Sequence, residues 1–242
     1  MKIKILGTGG AINNGLPYNS FIINDEFLVE TPPDIMNSLF RECIDRQKIS
    51  TIYISHFHAD HCFGIPFLLL SNFNDKYSSN TRMIGPAGIE KIITEMCTLA
   101  FGAEHRMQKW IREHIVYQEI ENGKEIKIDA LYKLTPFKTF HTPDTYGFML
   151  ESEGKKTAYI ADTYWDDTLL EYIRDVDTVL IDLNGEKSDE AKIHISEHDL
   201  KKYALPKLKD KDIRFYGTHL KQNKISKNKN IRYLTPGEEI EV

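Results

Sequence analysis

Residues 51–55, Thr-Ile-Tyr-Ile-Ser, form a short β-branched run that leads without a break into His56-Phe57-His58-Ala59-Asp60-His61. A run with so little polar alternation predicts a strand covered on both faces, as in a parallel sheet flanked by helices. The histidines then fall in the loop at that strand's carboxyl end, where α/β sheets commonly hold their ligands. His56 and His58 are two apart in extended chain, so both imidazoles can point one way and grip one cation. Asp60 and His61 follow a bend and can face a second cation close by. Imidazole with carboxylate suits zinc, and also manganese or iron. Accidental clustering is a weak rival: with nine His and seventeen Asp in 242 residues, the pattern HxHxDH arises in about one such chain in a thousand.

The remaining sequence arranges strands and helices around this motif. Residues 2–6 predict a strand that runs into the glycine-rich turn 7–10, and 20–24 and 27–30 predict two more, joined at Asp25. Pro32 and Pro33 stand where a helix can begin, and 34–46 carries Ile35, Leu39, Phe40, Cys43 and Ile44 at helical spacing. Residues 65–70 and 87–101 predict further helices. The middle of the chain is β-rich, at 115–120, 125–128, 132–136, 147–151 and 157–161, with a hairpin turn at Glu153-Gly154-Lys155. Residues 167–174 and 197–205 read as helices flanking the strand 178–182, and late strands follow at 213–216, at 231–234 and beyond Pro236-Gly237. There is no internal repeat or linker. Residues 1–242 read as one α/β domain, a four-layer αβ/βα sandwich with two sheets face to face and helices outside.

The net charge of −5 argues against a general nucleic-acid binder but conceals an asymmetry. Residues 201–232 hold nine Lys and two Arg against Asp210 and Asp212, a local net of +9, which leaves −14 for the rest. The segment 221–232, close behind His219, could hold RNA or another phosphate-rich partner, although most charge runs are solvated surface. No stretch reaches the roughly 18 apolar residues needed to span a bilayer, and the first residues show no signal-peptide pattern. Cys43, Cys62 and Cys97 form no disulfide framework. The expectation is a cytoplasmic protein with no membrane partner.

HFHADH after a β-branched strand resembles the signature of the metallo-β-lactamase superfamily. The N-terminal LGTGGA, VETPPD at 29–34 and IGPAGIEK at 84–91 are similar to the branch containing ribonuclease Z and the cyclic-ribose phosphate phosphodiesterase of phosphonate breakdown. The resemblance implies a sandwich of the metallo-β-lactamase type, a metal-dependent hydrolase and two divalent ions, zinc foremost and manganese or iron as alternatives. It implies a further histidine, a bridging aspartate and a last histidine, which match His141, Asp162 and His219. One position would then be His56, His58 and His141, the other Asp60, His61 and His219, with Asp162 spanning both. Two cations about 3.5–4 Å apart make hydroxide available near neutral pH, and Asp60 could orient it. His194 resembles the extra histidine that could protonate a leaving alkoxide. The plainer alternative is that it packs beside the helix at 197–205, with Ser196 as N-cap. Glu30 departs from the branch, where aspartate is usual, and puts the geometry of the metal loop in question.

The branch implies a phosphodiesterase. In ribonuclease Z a tRNA-gripping arm falls between the positions of His141 and Asp162, where this chain has twenty residues, and the His-Glu-Ala-Thr motif is absent. The preferred substrate is therefore a small or cyclic phosphodiester, with tRNA 3′-processing as the alternative. A metal-bound sensor without turnover is the rival from another class. Homodimerisation through apolar residues on the helices between 65 and 101 is expected by analogy. Gly7–Gly10 reads as a tight turn before it reads as a phosphate cradle, Cys62 as a small buried side chain, and His105, His114 and His198 as structural or surface residues.

Overall fold

The computed structural model describes residues 1–128, 132–185 and 193–242. The strands, in chain order, are β1 (Lys2–Gly7), β2 (Ser20–Ile23), β3 (Phe27–Val29), β4 (Thr51–Tyr53), β5 (Thr81–Gly85), β6 (Ile115–Glu119), β7 (Ile126–Lys127), β8 (Lys133–Lys138), β9 (Tyr146–Ser152), β10 (Lys155–Ile160), β11 (Thr178–Asp182), β12 (Arg214–Thr218), β13 (Ile231–Tyr233) and β14 (Glu239–Glu241). They form two seven-stranded sheets, ordered β14-β1-β2-β3-β4-β5-β6 and β13-β12-β11-β10-β9-β8-β7. Both are mixed: β3 to β6 run parallel in the first and β10 to β13 in the second, with antiparallel strands completing each. This is the expected α/β sandwich.

Alternation along the strands decides what faces what. Phe21, Tyr53, Phe148 and Tyr159 fill the space between the sheets, with Tyr53 edge-on to Phe148 at 4.9 Å. Each such ring withdrawn from water contributes about 1.5–3 kcal/mol before chain entropy is counted. The Tyr53 hydroxyl donates across the gap to the carbonyls of Tyr146 and Gly147, at 3.1 and 3.2 Å. Outside the first sheet lie α1 (Ile35–Arg41), α2 (Ala59–Cys62), α3 (Ile65–Asn74), α4 (Ile89–Phe101) and α5 (Met107–His114). The second sheet is covered by α6 (Leu170–Ile173) and by α7 (Glu197–Asp199), which runs into a π-type turn over Leu200–Ala204. No helix among the described residues is long and apolar enough to cross a membrane.

Several elements differ from their expected bounds. The helix expected over 34–46 ends at Arg41: Cys43 takes φ 54° and Asp45 caps a short 3-10 turn, leaving Phe40 exposed. The segment around Trp110 folds as α5, with the indole N–H donating to the Tyr77 carbonyl at 3.1 Å. The hairpin between β9 and β10 closes as expected through Glu153 and Gly154, at φ 51° and 76°, the positive values that a two-residue turn of the primed type requires.

The topology positions the site. The parallel strands β10, β11 and β12 end together, and the chain leaving β8 is tied to them by the Thr139 hydroxyl donating to the Asp162 carbonyl at 3.0 Å. The loop after β4 meets this edge from the other sheet, where the Tyr146 N–H donates to the Ser55 carbonyl at 3.1 Å.

Candidate metal centre

Four chain segments deliver polar side chains to this edge. His56, His58, Asp60 and His61 come from the loop and short helix after β4, His141 from the loop after β8, Asp162 from the end of β10, and His219 from the end of β12. His56 Nε2 lies 3.0 Å from His58 Nδ1, which lies 3.3 Å from His141 Nε2. Deeper, His61 Nε2 and His219 Nε2 stand 3.4 and 3.2 Å from Asp60 Oδ2. Asp162 lies between the groups. Its Oδ1 is 3.4 Å from His61 Nε2, while its Oδ2 is 3.5 Å from His219 Nε2, 3.8 Å from His141 Nε2 and 4.0 Å from His56 Nε2. The three groups His56–His58–His141, Asp60–His61–His219 and His56–His61–Asp162 each place their nitrogen and oxygen atoms within 4.8 Å of one another. All seven expected side chains therefore converge.

The donor set fits divalent cations. Both ring nitrogens of His61 and Asp162 Oδ1 are buried with no hydrogen-bond partner among the described residues. Such atoms cost free energy unless something else satisfies them, and imidazole nitrogen beside carboxylate oxygen is the ligand chemistry of zinc and manganese.

Charge divides the cluster. Burial holds His56 well below its usual value and lowers His141 as well, so both are neutral acceptors near pH 7. Burial also opposes the charged forms of His61 and His219, but their carboxylate neighbours outweigh it. Asp162 and Glu30 hold His61 well above its usual value, and Asp162 with Asp182 pushes His219 up to about 10. Burial likewise works against ionised Asp60, yet its bond to His219 and the nearby charge of His61 hold it well below the carboxylate range.

Two carboxylates stand behind the histidines. Glu30, fully buried at φ 63°, accepts the Ser55 N–H at 3.2 Å and the Tyr159 hydroxyl at 3.1 Å, and its Oε1 is 3.4 Å from His61 Nδ1. The longer side chain does reach the loop. Asp182, at the end of β11, was not singled out by the sequence analysis. It sits 2.6 Å from His194 Nδ1 and 3.4 Å from His219 Nδ1, and its carboxylate outweighs burial to raise His194. The clue was available: a charged residue closes an otherwise apolar strand at a sheet edge rich in ligands.

His194 lies at the site, its ring 5.9 Å from that of His141 and 5.2 Å from that of His219. Ser196 N-caps α7 in a capping box with Asp199. The two readings of this segment are thus compatible. The glycine-rich turn after β1 supports the centre by close approach: the N–H groups of Thr8, Gly9 and Gly10 donate to Pro17 and Leu220 carbonyls, and a Cβ at Gly10 would lie 3.0 Å from His219 Cε1. Cys62 is buried, and burial pushes its thiol up to about 12. The cleft above the cluster encloses about 450 Å³ and is lined by His58, Asp60, His141, Asp162, His194 and His219, with Ile12 and Lys221 at its edge. Of the basic segment 221–232, Lys221 faces this cleft, Lys224 donates to the Leu183 carbonyl, and Arg232 pairs with Glu238.

Comparison with known proteins agrees with this geometry. The family model "Anti-Pycsar protein Apyc1" matches residues 1–239. A ribonuclease BN of Erwinia tasmaniensis is 26% identical over 165 residues, 65% of this chain and 52% of that protein. A ribonuclease Z of Listeria monocytogenes is 26% identical over 174 residues, 69% of this chain and 54% of that one. The chain thus spans about half the length of these curated relatives. Among solved structures, the short form of human tRNase Z superposes with a TM-score of 0.79 at 19% identity, covering 100% of this chain and 99% of the other. Zinc-bound PqqB of Methylobacterium extorquens superposes with 0.75 at 15% identity, covering 100% of both. With its HxHxDH loop, its two mixed sheets and a match over nearly all its length, the chain belongs to the Anti-Pycsar protein Apyc1 family, in the ribonuclease Z branch of the metallo-β-lactamase superfamily.

Proposed function

We propose that this protein is a phosphodiester hydrolase dependent on two divalent metal ions, zinc foremost, and that its substrate is a small or cyclic phosphodiester. The convergence of seven ligand-type side chains around the Asp162 carboxylate carries the proposal. His56, His58 and His141 would hold one ion, Asp60, His61 and His219 the other, and Asp162 both. When bound, the pair would bring water toward ionisation near neutral pH and shield charge on the phosphoryl oxygens. Asp60, at the floor of the cleft, orients the attacking water. His194, at the cleft wall with Asp182 favouring its protonated form, gives its Nε2 proton to the departing alkoxide oxygen. Asp182 fixes the tautomer by engaging Nδ1, which leaves Nε2 for the substrate.

The compact region between His141 and Asp162 favours a small substrate. Its strands β9 and β10 pair directly through a two-residue turn, leaving no arm to grip a folded RNA. The ribonuclease names of the relatives speak for the other reading, tRNA 3′-processing, and are its best support. Lys221 at the cleft edge suits either substrate. A metal-loaded preparation assayed on 2′,3′- and 3′,5′-cyclic nucleotides and on a pre-tRNA decides between them, with Asp162→Asn as control. Cyclic nucleotide turnover well above the control, with pre-tRNA left intact, supports the small-substrate reading. Site-specific pre-tRNA cleavage alone reverses it, and no turnover on either would favour a metal-bound sensor. Phe63, Phe67 and Leu99, all more than half exposed on the helical face of the first sheet, are the surface we assign to homodimerisation, which sedimentation would check.

A further inference from the structure

Asn19, Tyr159 and Thr218 are buried polar residues that the proposed metal chemistry does not use. Together with Glu30 they make one continuous hydrogen-bond relay. The Thr218 hydroxyl donates to Asn19 Oδ1 at 2.5 Å, Asn19 Nδ2 donates to the Tyr159 hydroxyl at 3.0 Å, and that hydroxyl donates to Glu30 Oε1 at 3.1 Å. Glu30 Oε1 in turn stands 3.4 Å from His61 Nδ1. We propose that Tyr159, with Asn19 and Thr218 behind it, is a positioning residue for the inner cation: its hydroxyl aims the Glu30 carboxylate, and the carboxylate turns His61 so that Nε2 faces Asp60 and Asp162. The proposal deepens the two-metal reading and rests on it.

The path of the relay argues for this role. Thr218 ends β12 and Tyr159 lies in β10, both in the second sheet, whereas Asn19 precedes β2 and Glu30 follows β3, both at the first. The relay therefore crosses between the sheets three times. It begins beside His219 and ends at His61, the two inner imidazoles, which come from opposite sheets. The geometry between those rings depends on how the sheets sit on each other, and apolar packing alone has no direction. Hydrogen bonds have one. In a low-dielectric interior each bond polarises the next, and a break leaves a buried polar atom unsatisfied at a cost in stability.

Direction matters as much as connection. Carboxylate oxygens only accept, so every donor in the relay points toward Glu30. Its Oε2 takes the Ser55 N–H at 3.2 Å, which leaves Oε1 for Tyr159 and His61. A carboxylate facing Nδ1 requires that nitrogen to carry its proton. Nε2, 3.4 Å from both Asp60 Oδ2 and Asp162 Oδ1, is left as the one to coordinate. Glutamate has one more rotatable bond than aspartate, and the phenol removes that freedom by holding the longer side chain in one arrangement. The Tyr159 ring stays in place without its hydroxyl, packed edge-on to Phe21 at 5.1 Å and against Phe148 at 5.5 Å. Tyr159→Phe therefore removes the hydroxyl alone.

Chelator competition on the zinc-loaded protein tests this, because it reads the two ions separately. Tyr159→Phe should weaken the inner ion by about tenfold, the low end for a residue that supports a ligand, and leave the outer one unchanged. A general packing defect would weaken both. In a Glu30→Asp background, where the carboxylate is drawn back from the phenol, Tyr159→Phe should cost no more than about a further twofold, against the full tenfold if the two residues acted independently. Thr218→Val should also weaken the inner ion, by less, and Thr218→Ser, which keeps the hydroxyl, should restore it. No loss, equal losses at both ions, or the full loss repeated in the Glu30→Asp background would overturn the relay. Should Tyr159→Phe fail to fold, the Thr218 pair decides: Thr218→Val without loss, or Thr218→Ser with an equal loss, refutes it. A wild-type protein that takes up only one ion would instead overturn the two-metal reading. The relay is then judged in metal-free protein by solvent exchange of the His61 Nδ1 proton, followed by NMR. Exchange about tenfold faster in Tyr159→Phe supports it, and unchanged exchange refutes it.

Discussion

In the outer group, buried His56 faces His58 and His141, with Asp162 as the nearest carboxylate; in the inner group, His61 and His219 stand among Asp60, Asp162, Glu30 and Asp182. His56 and His141 are held neutral because burial disfavours their charge and outweighs the pull of Asp162. The inner ones are equally buried or more so, yet nearby carboxylates hold them protonated. Under the proposed ligand assignment, similar side chains are thus prepared differently: His56 and His141 would accept a cation directly, whereas His61 and His219 would have to lose protons before they could coordinate. The comparison identifies the surrounding carboxylates, more than the histidines, as what sets how each position loads.

The largest effect should come from breaking the element common to both positions. Asp162→Asn is expected to lower phosphodiester turnover by more than about 100-fold, beyond the range for supporting residues, and to bring metal content below two ions per chain. Elemental analysis that still finds two ions would show that Asp162 is not shared. Next is Asp182→Asn, which removes the carboxylate behind His194 and His219. A loss of roughly 10–100-fold in kcat is expected. Because Asp182 raises His194, the alkaline limb of the kcat profile should also move to lower pH, a shift that a purely structural defect would not cause.

The contrast sharpens further with pH. Metal entering the inner position must displace a proton from His219 below about pH 10 and one from His61, which its carboxylate neighbours hold well above its usual value. Titration in buffers of different ionisation enthalpy should therefore show proton release of about two per chain, and acidification should empty the inner position first. In the metal-free chain the sign runs the other way. The raised pKa of His219 contributes stability that is full below its unfolded value of about 6.5 and lost as pH climbs through about 10. Chemical denaturation across that window should show the decline, and a flat profile would break the comparison. The smallest effect belongs to Glu30→Asp, which draws the carboxylate back from His61 Nδ1. Inner-site affinity should fall by about tenfold or less while the outer ion is retained, as read by chelator competition.

Much of this was legible in the sequence, for a physical reason that also marks the limit. His56 to His61 share one loop on one strand, so local periodicity alone placed them. His141, Asp162 and His219 are single residues past separate strand ends, joined only by the tertiary fold, and a family resemblance was needed to pick them out. Asp182 escaped because one acidic residue after an apolar run reads as a turn signal, and its partner His194 lies twelve residues on. The sheet strands stood out because their interior faces are apolar. The early end of α1 did not, because Cys43 adopts a positive φ that its side chain gives no reason to expect. The helix around Trp110 was masked by the charges on its exposed face, although Met107 and Ile111 turn inward at helical spacing.

Anomalous diffraction from crystals grown with zinc tests the central claim most directly. Two peaks are expected, about 3.5–4 Å apart, one within coordinating distance of His56, His58 and His141, the other of Asp60, His61 and His219, with Asp162 reaching both. A single peak, or metal held by any other residues, would contradict it.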